Sequence, residues 1–126
     1  MGAMTDNLET AVLNTMRGSA LAAWTPYLAL FTAAPGELGG GTEVAGGSYA
    51  RQAITFGAPD GTKVVTTADI LFPVASAAWG TVTHFAVMDA AAAGTMKWYG
   101  AVDVAKTIAL GDQYKVAAGG LQITLD

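Results

Sequence analysis

Residues 81–102 read TVTHFAVMDAAAAGTMKWYGAV, and this stretch decides the fold. β-Branched and aromatic side chains dominate its two ends, Thr81–Asp89 and Met96–Val102, which is typical of strands. The small residues between them, Ala90–Thr95, predict a turn that joins the two strands as a hairpin. The stretch therefore predicts an antiparallel pair of strands in a β-rich protein.

The first of these strands has apolar side chains on both faces. Phe85 and Val87 are predicted to point to one face. The opposite face is predicted to carry Val82, Ala86 and Met88. Two apolar faces fit either a central strand that is covered on both sides or a contact between subunits.

Further strands are predicted on both sides of this hairpin. Four segments have the same composition and are bounded by turn residues: Tyr27–Thr32, Ala50–Phe56, Lys63–Val74 and Tyr114–Leu125, the last with a glycine break. Asp60-Gly61 predicts a tight turn that pairs the strand of Ile54 and Phe56 with the strand of Val64. The spacing, without helices between the strands, predicts a mainly β fold, namely an antiparallel β-sandwich of the jelly-roll or immunoglobulin-like kind.

One α-helix is predicted at the N-terminus, over about residues 6–24. Asp6 and Glu9 have the spacing of a capping box. Apolar residues recur every four positions and form a stripe: Leu8, Val12 and Met16. The stripe can lie on the sheet of its own protomer or meet copies of the chain around a symmetry axis.

The length of 126 residues predicts a single domain over residues 5–126. Residues 1–4 are interpreted as a cloning remnant followed by the natural start at Met4, and no secretory signal is recognisable after them. The most apolar stretch, residues 20–34, is too short to cross a bilayer and contains Pro26, so we expect a soluble protein.

Composition and charge exclude several classes of function. Apolar residues make up 52% of the chain and charged residues only 13%, which indicates that another subunit covers part of the surface. Ten acidic and six basic residues give a net charge of −4 without a basic run. Binding to nucleic acid or to an anionic membrane surface is therefore disfavoured. Because the chain has no cysteine, disulfides, thiolate metal sites and cysteine nucleophiles are excluded.

The residues do not form a recognisable catalytic or cofactor-binding pattern. The single histidine, His84, lies in mid-strand, and no serine sits in a nucleophile-elbow motif. A zinc site needs three or four ligands, whereas the chain offers one histidine and scattered acids that are typical of turns. The glycine-rich loop after Pro35 lacks the Lys-Ser/Thr pair of a phosphate-binding loop. We expect no enzymatic activity, no cofactor and no metal, and we interpret the loop as flexible or ordered by a partner.

Arg51 directly follows this loop and Tyr49. Its planar guanidinium is suited to a bidentate pair with a carboxylate such as Glu43, or to a contact with a neighbouring subunit. Fixing of the loop to Glu43 is the favoured role.

Several segments resemble a widespread family of small virion proteins of tailed bacteriophages and prophages, often labelled tail-fibre or minor tail proteins. The resemblance is carried by Tyr27–Gly36, Gly40–Val44, Gly46–Arg51, Ala78–Phe85 and Trp98–Gly100. It covers nearly the whole chain from Asp6 onward. The resemblance implies a non-enzymatic, oligomeric component of the virion that is assembled in the cytoplasm of the bacterial host. It supplies no catalytic or ligand-binding residue, and the family label covers tail-fibre, tail-tip and capsid-decoration roles.

We therefore predict a structural protein of a tailed-phage virion that assembles with its own copies, as a homotrimer, and docks to capsid or tail proteins. The predicted interface residues are Leu8, Val12, Met16, Val82, His84 and Met88. The alternative function is a receptor-binding module that stacks host-surface carbohydrate on aromatic side chains. The residues predicted for that role are Trp79, Trp98 and Tyr99.

Overall fold

A computed structural model describes residues 2–125 of the chain. It contains one helix and ten strands in the order β1 (Gly2–Met4), α1 (Asp6–Met16), β2 (Tyr27–Ala33), β3 (Thr42–Glu43), β4 (Gln52–Ala53), β5 (Lys63–Val65), β6 (Ile70–Leu71), β7 (Gly80–Met88), β8 (Met96–Ile108), β9 (Lys115–Val116) and β10 (Gln122–Thr124). All pairings between these strands are antiparallel. The prediction of a mainly β, antiparallel fold with one N-terminal helix is confirmed.

The main sheet is open and has the order β1-β8-β7-β2-β3, with β4 also paired to β2. β7 and β8 form the hairpin predicted from residues 81–102, with Met88 opposite Met96. β2 pairs along the other edge of β7, from Tyr27 opposite Met88 to Phe31 opposite His84. β7 is therefore a central strand, which explains why both of its faces are apolar.

Two short ribbons, β5 with β10 and β6 with β9, lie outside the main sheet. Ile70 of β6 is buried in one core cluster with one face of the main sheet, and the partly buried Val116 and Ile123 pack against that cluster, so the strands form two layers. The buried members of this cluster are Leu28, Leu30, Val44, Ile54, Ile70, Phe72, Ala75, Trp79, Val82, Phe85, Val87, Trp98, Ile108 and Leu121. A smaller cluster lies on the opposite face of the sheet and contains Ala29, Phe31, Ala86, Met88 and Met96.

The predicted facing of Val82 is wrong, because β8 bulges opposite β7. Val82 pairs with Lys106 and His84 pairs with Ala101, so a step of two residues on β7 spans five residues on β8. Such a bulge turns the following side chains relative to the regular alternation. Val82 consequently lies in the same cluster as Phe85 and Val87.

The helix is shorter than predicted, since α1 ends at Met16 and not near residue 24. Gly18 adopts a left-handed conformation with φ +93°. Its backbone N–H donates to the Thr15 carbonyl at 3.0 Å, and the N–H of Ser19 donates to the Asn14 carbonyl at 3.1 Å. This arrangement satisfies the last carbonyls and stops the helix.

The capping-box prediction is also wrong. The N-cap is Thr5, and Asp6 is already the first helical residue. The Thr5 hydroxyl is not available for capping, because it is buried and donates to the Met96 carbonyl at 2.7 Å.

The predicted strand Ala50–Phe56 is shortened to β4, and Tyr114–Leu125 forms β9 and β10 on either side of its predicted glycine break. Lys63–Val74 divides into β5 and β6 around Asp69, whose carboxylate accepts a hydrogen bond from the Ala118 N–H at 2.8 Å. Pro73 has no N–H to continue β6. The Asp60-Gly61 turn is present, with φ +64° at Gly61, and bridges from Asp60 to Lys63 and from Phe56 to Thr66.

Candidate assembly surfaces

Helix α1 belongs to an N-terminal arm, here defined as β1 and α1 together, which is held to the outer edge of the main sheet. β1 pairs with β8 at residues 98–100. Thr5 is the buried anchor described above, and the N–H of Asp6 donates to the Glu37 carbonyl at 2.9 Å. Lys97 donates to the Asn7 side chain at 2.7 Å. All of these anchors lie at the start of the helix.

The rest of α1 contributes little to the core. Among its eleven residues none is buried. Leu8 and Val12, two of the predicted interface residues, are half-buried. Met16, the third, is 81% exposed, and the neighbouring Leu13 is 60% exposed. The apolar stripe thus divides into a half-covered part and a part that faces solvent. Leu13 lies beside the four-residue spacing and was not among the predicted interface residues.

The predicted interface residues of β7 are mostly enclosed within the protomer. Val82 is completely buried in the main core cluster, and Met88 is buried on the opposite face of the sheet. His84 is half-buried, and its Nδ1 lies 2.8 Å from the Thr83 hydroxyl. Of these three residues, His84 alone offers appreciable surface to a partner.

The aromatic residues predicted for carbohydrate stacking are packed in the same way. Trp79 and Trp98 are both buried in the main core cluster. Trp79 packs edge-on against Tyr49 with 5.4 Å between ring centroids, and its Nε1–H donates to the Gly47 carbonyl at 2.8 Å. Tyr99 is half-buried, and its hydroxyl donates to Glu37 at 2.7 Å. Neither indole offers a free face for a sugar ring.

The glycine-rich loop is fixed by its own chain through a network around Arg51. Arg51 donates from Nε and Nη2 to the two carboxylate oxygens of Glu43, both at 2.8 Å. Its Nη1 donates to the carbonyls of Ala90 and Ala93 in the β7–β8 turn, at 3.0 and 2.7 Å. The predicted bidentate pair with Glu43 is therefore confirmed, and it ties the loop to the turn as well.

Tyr49 completes the network from the opposite side of Glu43. Its hydroxyl donates to Glu43 at 2.7 Å and accepts from the Leu30 N–H at 3.0 Å. Burial alone would raise the pKa of Glu43, but the hydrogen bonds from Arg51 and Tyr49 outweigh it and lower this pKa below its ordinary value of 4.5. Burial and the hydrogen bond to Glu43 raise the pKa of Tyr49. The loop interpretation as flexible or ordered by a partner is therefore wrong for this part of the loop.

A groove of about 540 Å³ lies on the face of the sheet opposite the main core, between the loop of residues 36–41 and the turn of residues 94–96. Its lining includes the side chains of Phe31, Met88 and Met96, which are buried members of the smaller cluster. Leu38 at the rim is 91% exposed. We call this feature the arm groove, because Thr5 and Asn7 of the arm region line one of its ends.

Three exposed carboxylates, Asp6, Glu9 and Glu37, meet at this end of the arm groove, and we call them the acidic trio. One oxygen of each lies within 4.8 Å of the others. Within residues 2–125 no salt bridge reaches any of them. The pKa of Asp6 is raised, first by partial loss of water and then by its hydrogen bond with Glu37 and the negative charge of that group. Oxygen ligands of this type suit Ca²⁺, and the position of Glu37 beside the helix start could not be recognised from sequence spacing.

A second cleft, of about 760 Å³, opens beside the outer half of β8. Core side chains Leu28, Leu30 and Phe85 line it. The predicted strand ends at Val102, whereas β8 continues to Ile108 and carries Val104, which is 68% exposed. The alternation of Val102 and Val104 with Asp103 was a usable signal for the longer strand.

Three aspartates stabilise turns, as the sequence predicted for the scattered acids. Asp69 accepts from the Ala118 N–H, as described above, Asp89 accepts from the Thr95 N–H at 2.7 Å, and Asp112 accepts from the Ala109 N–H at 2.9 Å. These carboxylates therefore shape the turns in which they lie.

A helix with the length and apolar character needed to span a bilayer is absent from residues 2–125.

A family model described as the podophage GP4 fiber I protein gp80 matches residues 3–124 of the chain. No curated protein matches the chain.

Proposed function

Because the chain belongs to the family of the podophage GP4 fiber I protein gp80, we propose that it is a non-enzymatic structural subunit of a phage tail fibre that assembles through helix α1. The family description supports a fibre role and not capsid decoration. The proposed location is the virion, after assembly in the cytoplasm of the bacterial host.

The observation that carries this proposal is the exposed apolar surface of α1. An isolated helix of eleven residues is marginal in water, and most helices are stabilised by burying an apolar face. In α1, however, Leu13 and Met16 face solvent. Burial of these side chains between subunits would supply the missing contact.

Three-fold symmetry is proposed because it suits a fibre and gives each helix an equivalent neighbouring subunit that can cover its exposed apolar side chains. The complete trimer then docks to other virion proteins. Within residues 2–125, the His84 side chain is hydrogen-bonded to the Thr83 hydroxyl and not to a carboxylate. This arrangement supports a structural and not a catalytic role for the histidine.

Sedimentation equilibrium of the wild-type chain and of the double variant Leu13→Ser/Met16→Ser tests the proposal. We expect a trimer for the wild type and a monomer for the double variant, with free energies of unfolding of the two monomers within about 0.5 kcal/mol, since both positions are exposed. The matched control is Leu110→Ser, which replaces a 70% exposed leucine in a distant turn and should leave the trimer intact. A wild type that stays monomeric at high concentration, or a double variant that assembles normally, contradicts the proposal.

A further inference from the structure

The arm groove has a mixed lining, with the buried apolar residues Phe31, Met88 and Met96 at its floor, each at most 7% exposed. Glu37 of the acidic trio lies at its rim, and no salt bridge reaches the trio within residues 2–125. A complementary occupant must therefore present an apolar side chain next to a cation.

The chain itself carries such a pair at the far end of α1. Met16 is 81% exposed, and Arg17, which follows it, is exposed as well. Arg17 makes one side-chain hydrogen bond, from Nη1 to Asn14 at 3.2 Å, and takes part in no salt bridge among residues 2–125. A guanidinium is suited to carboxylates because it can donate two parallel hydrogen bonds.

Among the described residues, Arg17 makes no salt bridge with the acidic trio of its own protomer. Asp6 and Glu9 lie in the first turn of α1, whereas Arg17 follows its last residue. At a rise of about 1.5 Å per residue, Arg17 lies roughly 16 Å along the helix from Asp6 and roughly 12 Å from Glu9. A second molecule can place the cation directly on the acids.

We propose that Met16-Arg17 of one copy inserts into the arm groove of the next copy, with Met16 on the apolar floor and Arg17 on the acidic trio. This inference rests on the proposed self-assembly and names both of its surfaces. Because the inserted pair and the groove are different patches, the contact is head-to-tail, and three copies close it into a ring.

The other cations are less suited to this role. Arg51, Lys97 and Lys115 already have carboxylate partners. Lys63 and Lys106 are exposed and take part in no salt bridge in the part of the chain that the structure describes, but they lie on β5 and β8 and do not line the arm groove. Lys106 lies on the main sheet. It therefore serves as the matched control for a change of charge.

The experiment measures the trimer dissociation constant of the full chain by sedimentation equilibrium. Arg17→Glu should weaken assembly at least about tenfold, and its effect should shrink at high salt, where exposed charges are screened. Lys106→Glu, with the same change in net charge, should assemble as the wild type does. Adding Glu37→Arg to Arg17→Glu should restore part of the lost affinity, because the charges are then exchanged.

Unchanged assembly of Arg17→Glu overturns the pairing, and so does an equal loss in Arg17→Glu and Lys106→Glu. If Leu13→Ser/Met16→Ser dissociates the trimer while Arg17→Glu does not, the proposed function stands and the groove contact fails. If the wild type is monomeric, both fail. Circular dichroism checks that each variant keeps the fold of the wild type.

Discussion

The glycine-rich loop and helix α1 differ in how firmly the protomer holds them, and this difference is not visible in their sequences. The loop has an irregular composition, yet Arg51 and Tyr49 fix Glu43 at its centre through hydrogen bonds of 2.7 to 2.8 Å. The helix has a regular apolar stripe, yet none of its residues is buried. Local regularity therefore does not measure how firmly a segment is held. Side-chain contacts within the protomer hold the loop, whereas Leu13 and Met16 of the helix face solvent.

The largest effect on the free energy of unfolding is expected for a substitution that contacts the fixed loop. Trp79→Ala removes a buried indole that packs on Tyr49 and Phe72 and donates to the Gly47 carbonyl. It should lower the free energy of unfolding by about 3–5 kcal/mol, because the cavity adds to the lost apolar burial. Urea denaturation measures the change. The control is Leu13→Ala in the helix, which should change the free energy of unfolding of the monomeric protein by less than about 0.5 kcal/mol. Equal effects at the two positions would show that the loop region and the helix are held equally firmly.

Arg51→Lys should have the next largest effect. A lysine keeps the charge but cannot bond both oxygens of Glu43 and the two turn carbonyls from one planar group. We expect a loss of about 1.5–3 kcal/mol in the free energy of unfolding. Hydrogen exchange of residues 42–51 should become faster. Arg17→Lys, at an exposed position, is the control. Unchanged hydrogen exchange in Arg51→Lys would show that the planar guanidinium of Arg51 does not hold the loop.

Acid should weaken the loop before it weakens the rest of the protomer. The pKa of Glu43 is lowered in the folded chain, mainly by hydrogen bonds that outweigh its burial. A lowered folded pKa contributes stability that is present above the ordinary pKa of 4.5 and is lost as pH falls through the folded value. The free energy of unfolding should therefore decline below about pH 4.5, and this decline should be smaller in Glu43→Gln. An identical acid dependence in the two proteins would assign it to other groups.

Features set by neighbouring residues were predictable from the sequence. The β7–β8 hairpin follows from two strand-like segments around small residues, and β2 begins at Tyr27 as its composition indicates. The pair of Arg51 with Glu43 spans only eight residues around the glycine-rich loop, so its chemistry could be recognised.

Features set by distant contacts were not predictable. The bulge of β8 depends on which residue of β7 stands opposite Lys106, and no local pattern marks that register. Thr5 stands at the N-cap position, and its hydroxyl donates to the distant Met96 carbonyl instead of capping the helix. Glu37 joins Asp6 and Glu9 only through the fold, so the acidic trio has no spacing that a sequence could reveal.

Hydrogen exchange of α1 at increasing protein concentration tests the central claim most directly, because a helix without buried side chains opens easily in a single protomer and is stabilised further when a partner covers it. Amides of residues 6–16 should exchange rapidly in dilute solution and become protected as the trimer forms, while those of β7 remain protected throughout. Strong protection of α1 that does not change with concentration would contradict the claim, since the helix would then be held by its own protomer.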